Sequence, residues 1–254
     1  MLRLPVSGAE IALRAPDGTD DMMLQEATGG PIEVGLMLLA RLADAGDRAS
    51  DWAELTITDF EVLLLSLRAE RFGQQLSLGF ACPGCAARVE VGFQVAQYLQ
   101  AVRPRAVPGV TSDPSRPGWF RLEGVGFRLP TAGDQEAVAR HANPAQLLAE
   151  RCLDEPARHK PHRARVERAM AAMAPEVSRP IAGICPSCGA VVQAPLHVTR
   201  VVVGELRRAA GAVHDDVDLI ARAYHWPEAA ILSLPQDRRR AYAERIRRLQ
   251  PLAA

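Results

Sequence analysis

The sequence predicts an α+β fold, mostly helical, organised around a split four-cysteine zinc ribbon. Three observations predict it. First, Cys82-Pro83-Gly84-Cys85 and Cys185-Pro186-Ser187-Cys188 are two copies of one C-x-x-C motif. Second, short runs of alternating or apolar residues flank each copy: Leu76, Leu78, Phe80 and Val89, Val91, Phe93 around the first, Ile181 to Ile184 and Val191 to Ala194 around the second. Such runs read as β-hairpins carrying a cysteine knuckle at the tip. Third, apolar residues recur at helical spacing before, between and after the knuckles.

The elements follow in chain order. Leu2 to Pro5 and Ala9 to Arg14 read as short strands, and Pro16-Asp17-Gly18 as a turn. Asp20 to Ala27 is a short helix with acidic residues in its first turn, where the helix dipole favours them. Ile32 to Ala45 places Ile32, Leu36, Leu39 and Leu42 on one helical face. Thr58-Asp59-Phe60-Glu61 reads as a capping box opening a helix whose buried face is Phe60, Leu63, Leu64 and Leu67, with Gly73 as its stop. Arg103 to Pro117, rich in Pro, Arg and Ser, is a loop or extended crossing, and Trp119 to Leu129 a hairpin centred on Gly124. Helices follow from Thr131 to His141, Ala145 to Leu153 and Val166 to Ala174, with a basic, loop-like stretch at His159 to His162. After the second knuckle, Thr199 to Tyr224 is a long helical stretch that Gly204 and Gly211 are placed to break. Pro227 and Pro235 open two last helices, the second running to Leu249. This gives three consecutive segments: 1–74 with N-terminal strands and helices, 75–198 with the split ribbon (knuckles 76–93 and 181–195) and its inserted hairpin and helices, and 199–254 as a C-terminal helical segment.

Composition narrows the class. Apolar residues make up 48% and charged residues 24%, a globular balance that argues against a disordered chain. Thirty basic residues offset thirty acidic ones, so global charge gives no reason to expect nucleic-acid or anionic-membrane binding. No apolar run is long enough to span a membrane, and Met1 to Arg14 lacks a signal-peptide core. The expectation is a cytoplasmic chain, where thiols stay reduced and paired cysteines point to metal before disulfides.

The two knuckles carry the most chemistry. A tight C-x-x-C turn lets two thiolates reach one ion, and two such turns complete a tetrahedron. Gly84 and Gly189 stand where positive φ would aim backbone amides at sulfur. The expected ligands are Cys82, Cys85, Cys185 and Cys188, holding a structural Zn2+; four thiolates leave no position for a reactive water. About a hundred residues separate the pairs, against the usual 12–20, so the ion would pin together the ends of the 86–184 insertion. Two other readings stand beside this one. One is a thioredoxin-like redox pair, which needs a helix where a strand follows here. The other is two incomplete metal sites, or none.

Other candidates read more simply. Cys152 lies on a helix between Leu148 and Leu153 as a small hydrophobe. His197 is placed to replace a cysteine ligand; His159 and His162 read as solvated surface, and His141, His214 and His225 lack ligand spacing. Asp215, Asp216 and Asp218 complement a helix dipole, and Glu26, Asp59 and Glu61 show no partner. Arg238 to Arg240 with Arg245, Arg247 and Arg248 make either a solvated last helix or a docking helix for an acidic partner surface, with Tyr242, Ile246 and Leu249 as its apolar side. No Gly-x-x-x-x-Gly-Lys, Gly-x-Ser-x-Gly or His-Glu-x-x-His motif occurs, so no catalytic residue is expected.

With these elements in order, the chain resembles the T-even phage baseplate family of small hub-assembly proteins, in the form found in contractile phages and phage-tail-like extracellular injection systems. Three places carry the resemblance. The first is Cys82 to Cys85 after Leu63-Leu64-Leu65-Ser66-Leu67-Arg68, and the second is Cys185 to Cys188. The third is the tail Ile220-Ala221-Arg222-Ala223-Tyr224-His225-Trp226-Pro227-Glu228-Ala229-Ala230-Ile231-Leu232-Ser233-Leu234-Pro235, with its YxWxExxILxLP pattern. Phe127 to Asp134 also fits. The resemblance implies a non-enzymatic baseplate component or assembly factor, at work in the cytoplasm or within the particle. Its partners would be hub, tube or wedge proteins, and a structural zinc site would orient its protein-binding surfaces. The reading from a different class is a zinc-ribbon adaptor for nucleic acid or a transcription complex, against which neutral charge and few aromatics weigh.

Overall fold

A computed structural model describes residues 1–44, 51–154 and 160–249. Its elements are β1 (Leu2–Arg3), β2 (Glu10–Leu13), α1 (Gly18–Glu26), α2 (Pro31–Leu42), β3 (Ala43–Asp44), α3 (Ile57–Phe72), β4 (Gln75–Ala81), β5 (Arg88–Gln94), α4 (Val95–Gln100), β6 (Val110–Ser112), β7 (Trp119–Leu122), β8 (Val125–Arg128), α5 (Ala132–Val138), α6 (Pro144–Arg151), α7 (Lys160–Met173), β9 (Ile181–Ile184), β10 (Val191–Ala194), α8 (Val198–Ala210), α9 (Val213–Tyr224), α10 (Glu228–Leu232) and α11 (Gln236–Leu249). The fold is mixed α/β, with helix the larger share and every described strand pairing antiparallel. Packing divides the chain into two compact units, Met1–Ile11 with Ala45–Thr199 and Ala12–Asp44 with Arg200–Ala254. These units do not follow the three consecutive segments read from the sequence, because 1–74 supplies chain to both.

In the first unit, α3 is the central element. It buries not one stripe but its whole girth from Thr58 to Ala69, apart from a half-buried Ser66. A helix buried all round is a core helix, and its polar residues must then find partners inside. They do. Asp59 accepts the Val6 and Ser7 N–H groups, both at 2.9 Å. The Thr58 hydroxyl donates to the Pro175 carbonyl at 3.0 Å. The helix cap is Thr56, whose hydroxyl accepts the Asp59 N–H; the Thr58 capping box is therefore corrected, and Glu61 is released for another role. A second core lies under the β6–β7–β8 sheet, where Phe127, Leu122 and Val125 meet Leu153, Val166 and Ala169. The helix expected from Thr131 is capped there, with a capping box between Thr131 and Asp134, and ends at Val138.

Other boundaries also move. Strand β6 forms inside the expected 103–117 loop, and α2 gives way to β3 at Ala43; Ala45 lies outside the described residues. Lys160 to His162 open α7 instead of a loop, while His159 lies outside the described residues. Gly204 sits inside α8 without breaking it, and the break falls at Gly211-Ala212.

In the second unit, charges are buried in register. Asp20 is fully buried and takes the Arg14 guanidinium in two bonds of 2.7 and 2.8 Å and Arg41 at 2.8 Å. Burial works to raise the Asp20 pKa, but the Arg14 and Arg41 donors outweigh it and hold it low. Arg239, 1% exposed, binds buried Asp21 and faces buried Asp216, which Arg247 also bonds at 2.9 Å. The acidic start of α9 is thus more than a dipole complement. Around it, Ile220, Ile231, Ala243 and Ile246 form an apolar core. Tyr224 stacks on Trp226 at 5.3 Å, and Tyr242 meets Trp226 edge-on at 5.2 Å.

Removing one member of a buried ion group strands the others. Arg239→Met is expected to cost about 3–5 kcal/mol of stability, measured by urea unfolding followed through tryptophan fluorescence.

Candidate metal centre

Two identical turns build the site. In the first, the Cys82 N–H donates to the Ala87 carbonyl at 2.8 Å and the Ala86 N–H to the Cys82 carbonyl at 2.9 Å. In the second, Cys185 N–H to Ala190 carbonyl and Gly189 N–H to Cys185 carbonyl both measure 2.9 Å. The residue after each second cysteine takes the left-handed conformation: Ala86 at φ 59° and Gly189 at φ 73°. Gly189 meets the sequence expectation, whereas in the first knuckle Ala86 takes the role expected of Gly84. The turns aim N–H groups at sulfur, as Gly84 shows toward Cys82 Sγ at 3.4 Å.

The four expected ligands come together. The sulfurs of Cys82, Cys85, Cys185 and Cys188 all lie within 4.8 Å of one another. Across the knuckles, Cys82 and Cys188 stand 3.8 Å apart and Cys85 and Cys185 3.7 Å. A tetrahedron with metal–sulfur bonds of about 2.3 Å has edges of about 3.8 Å, so the cage has the size of one four-coordinate ion. All five cysteines are free thiols. Cys82 and Cys185 are buried and Cys85 and Cys188 exposed.

Electrostatics sets the thiols apart. The Cys185 pKa is lowered to about 6, first by the Cys188 N–H, with the Ser187 N–H adding to it against the cost of burial. The Ala87 N–H pulls the Cys85 pKa down, but the neighbouring thiols and burial outweigh it and push it up to about 12. The backbone donors thus favour ionisation at Cys185, and the neighbouring thiols oppose it at Cys85. A divalent cation removes that conflict and allows all four to ionise.

The cage rests on α3. The first hairpin leaves α3 directly, and the Arg68 guanidinium donates to the Gly73 and Gln75 carbonyls at its base, both at 2.7 Å. The second hairpin is anchored by buried Glu61. The Ser178 hydroxyl donates to the Glu61 carboxyl at 2.5 Å and the Ser178 N–H at 3.1 Å, while the same hydroxyl accepts the Val198 N–H at 3.0 Å. Ser178 precedes β9 and Val198 follows β10, so Glu61 ties down both ends of that hairpin. Tyr98 adds a bond from its hydroxyl to the Val177 carbonyl at 2.5 Å. Between the hairpins the approach is close: a Cβ on Gly183 would lie 2.7 Å from Val91 Cγ2.

The remaining candidates stay apart. Among the described residues, only these four cysteines form a metal-ligating cluster, and His197 is exposed and outside it. Cys152 is fully buried beside Asp134, and burial first of all pushes its thiol up to about 12. Asp134 lines a cleft of about 640 Å³ with Trp119, Arg128 and Arg151. Burial acts to raise its pKa, but Arg128, the Thr131 N–H and Arg151 hold the carboxyl well below the usual range. Sequence reading missed Glu61, Arg68 and Ser178, whose partners are fixed by the fold. No family model, curated protein or solved structure matches this chain.

Two outcomes follow from this geometry. Cys82→Ser and Cys185→Ser are each expected to lose bound metal and thermal stability together, since opening a loop of about 100 residues costs on the order of 4 kcal/mol in the chain-entropy picture; full metal occupancy in both variants rules out a four-sulfur site. Burial, opposed by the Ser178 donors, raises the Glu61 pKa from 4.5 to about 7. The folded state then holds a proton that the unfolded state has released. This contribution is complete below pH 4.5 and is lost as pH rises to about 7. Glu61→Gln should remove that slope, read as the difference between wild-type and variant urea midpoints from pH 4.5 to 8, which cancels the opposite pH dependence of metal binding.

Proposed function

We propose that this protein is a non-enzymatic structural or assembly component of the baseplate of a contractile tail or phage-tail-like injection system, clamped by a structural zinc ion. The observation that carries the reading is the tail motif. Of its signature positions, Tyr224 and Trp226 stack, Ile231 and Leu232 are buried, Pro235 precedes α11, and Glu228 is exposed. On this reading the aromatic and apolar positions of the pattern serve packing, in keeping with a structural role.

Zinc is the ion that the donor set favours. Four cysteine sulfurs within reach of one ion and an N–H···S bond suit it, and a closed four-sulfur site is structural instead of catalytic. Cys82, Cys85, Cys185 and Cys188 hold the ion, and what it supplies is folding energy. The partners on this reading are hub, tube or wedge proteins, met in the cytoplasm during assembly or within the particle. Among the described residues no helix is long and apolar enough to cross a membrane. The zinc-ribbon adaptor draws less support from α11, because three of its arginines are spent internally: Arg239 on Asp21, Arg247 on Asp216 and Arg240 on the Ala209 carbonyl.

Native pull-down of the tagged protein from its own host, with mass spectrometry and electron microscopy of the eluate, tests the reading. Sheath, tube or baseplate proteins with tail-like particles are the expected result. Recovery of nucleic acid or transcription proteins in their place overturns it. Elemental analysis is expected to give one zinc per chain, and iron in its place overturns the zinc assignment.

A further inference from the structure

The two knuckles allow an internal comparison. They share turn, register and ligands, so a difference at equivalent outward positions is not demanded by the knuckle itself. The strand pair adjoining the cysteines is Ala81 and Arg88 in the first knuckle and Ile184 and Val191 in the second. Ile184 is 70% exposed and Val191 73% exposed, and they sit directly opposite each other. The next outward pair is Gly79 and Glu90 in the first hairpin, and Ala182 and Gln193 in the second. The first knuckle thus shows solvent a small residue and charges. Its twin shows two large β-branched side chains.

The hairpin that carries them is also incomplete as a sheet. Strands β9 and β10 pair only with each other among the described residues, so backbone groups on their outer edges have no strand partner. Two short strands with an apolar outer pair are a template for a further strand.

We propose that the outward side of the β9–β10 hairpin is a docking site for an extended segment of a different protein. That segment adds as a strand at the hairpin edge and covers Ile184 and Val191 with alternate apolar side chains. The size of the patch argues for this occupant. Two side chains are a small part of the roughly 800 Å² that each partner buries in a stable interface, so face-to-face pairing of two copies falls short. Strand addition supplies main-chain hydrogen bonds in compensation, with side-chain pockets giving selectivity. The clamp beneath keeps the hairpin preformed, which lowers the ordering cost of docking.

The twin also supplies the variant. Ile184→Ala with Val191→Arg writes the first knuckle's residues onto the second, and those residues are already compatible with a folded knuckle. A photo-crosslinking benzoylphenylalanine is placed at Gln193, beside Val191, and in a separate chain at its counterpart Glu90, in the native host. The expected result is an adduct from 193, absent from 90, to one other polypeptide, within a segment whose apolar residues alternate. A synthetic peptide of that segment should bind the intact protein and lose at least tenfold in affinity for the double variant, with metal content and melting temperature unchanged. An adduct to a second copy, equal adducts from both positions, or none from 193 overturns the proposal. An adduct to a protein foreign to contractile particles leaves the docking site standing and counts against the baseplate reading instead.

Discussion

Four sulfur atoms within 4.8 Å of one another repel as they ionise, and a metal ion held among them would relieve that repulsion. The turns bring N–H groups toward sulfur, which favours ionised sulfur. One cation among the four sulfurs would balance the arrangement. The two pairs are about a hundred residues apart in the chain, so the cluster also fixes topology: whatever lies between Cys85 and Cys185 leaves from and returns to one point.

That point has a foundation in α3. A helix buried on every side is normally apolar throughout, yet α3 carries Thr58, Asp59, Glu61 and Arg68 in its buried length. Each polar group is an attachment. Asp59 holds the N-terminal segment, Thr58 the Pro175 carbonyl, Arg68 the stem of the first hairpin, and Glu61 both ends of the second. Buried polar bonds of this kind are costly to half-satisfy. They therefore favour one position for each hairpin.

The C-x-x-C pairs were legible because each is a local motif with local turn chemistry, and their union followed from counting ligands. The span of α2 was legible from its apolar spacing, but its buried face is Val34, Leu38, Leu39 and Leu42, with Ile32 and Leu36 half-buried. The reading failed where polar residues are buried. Glu61 looked like a capping residue because its partner Ser178 is 117 positions away. Arg239 looked like one of a solvated run because Asp21 is 218 positions away. The two-unit division was illegible for the same reason, since Ala12–Asp44 joins the C-terminal region only through contacts. Sequence displays spacing along the chain, and charge pairing across hundreds of residues leaves no trace in spacing.

The stretch between the knuckles is tethered at both ends to one buried base. Loop-closure entropy grows only with the logarithm of length, at about 0.6 kcal/mol per doubling. On the zinc reading, this stretch is then a cassette. Its surface loops can lengthen or shorten at small cost, while its own core and its bonds to α3 hold the rest and its exit and entry stay fixed to within the width of the sulfur cage. A single peptide-bond cut inside it would yield two fragments joined by metal–sulfur bonds instead of by backbone. A chain clipped there by a protease would travel as one body, held by the metal together with the packing and the bonds to α3.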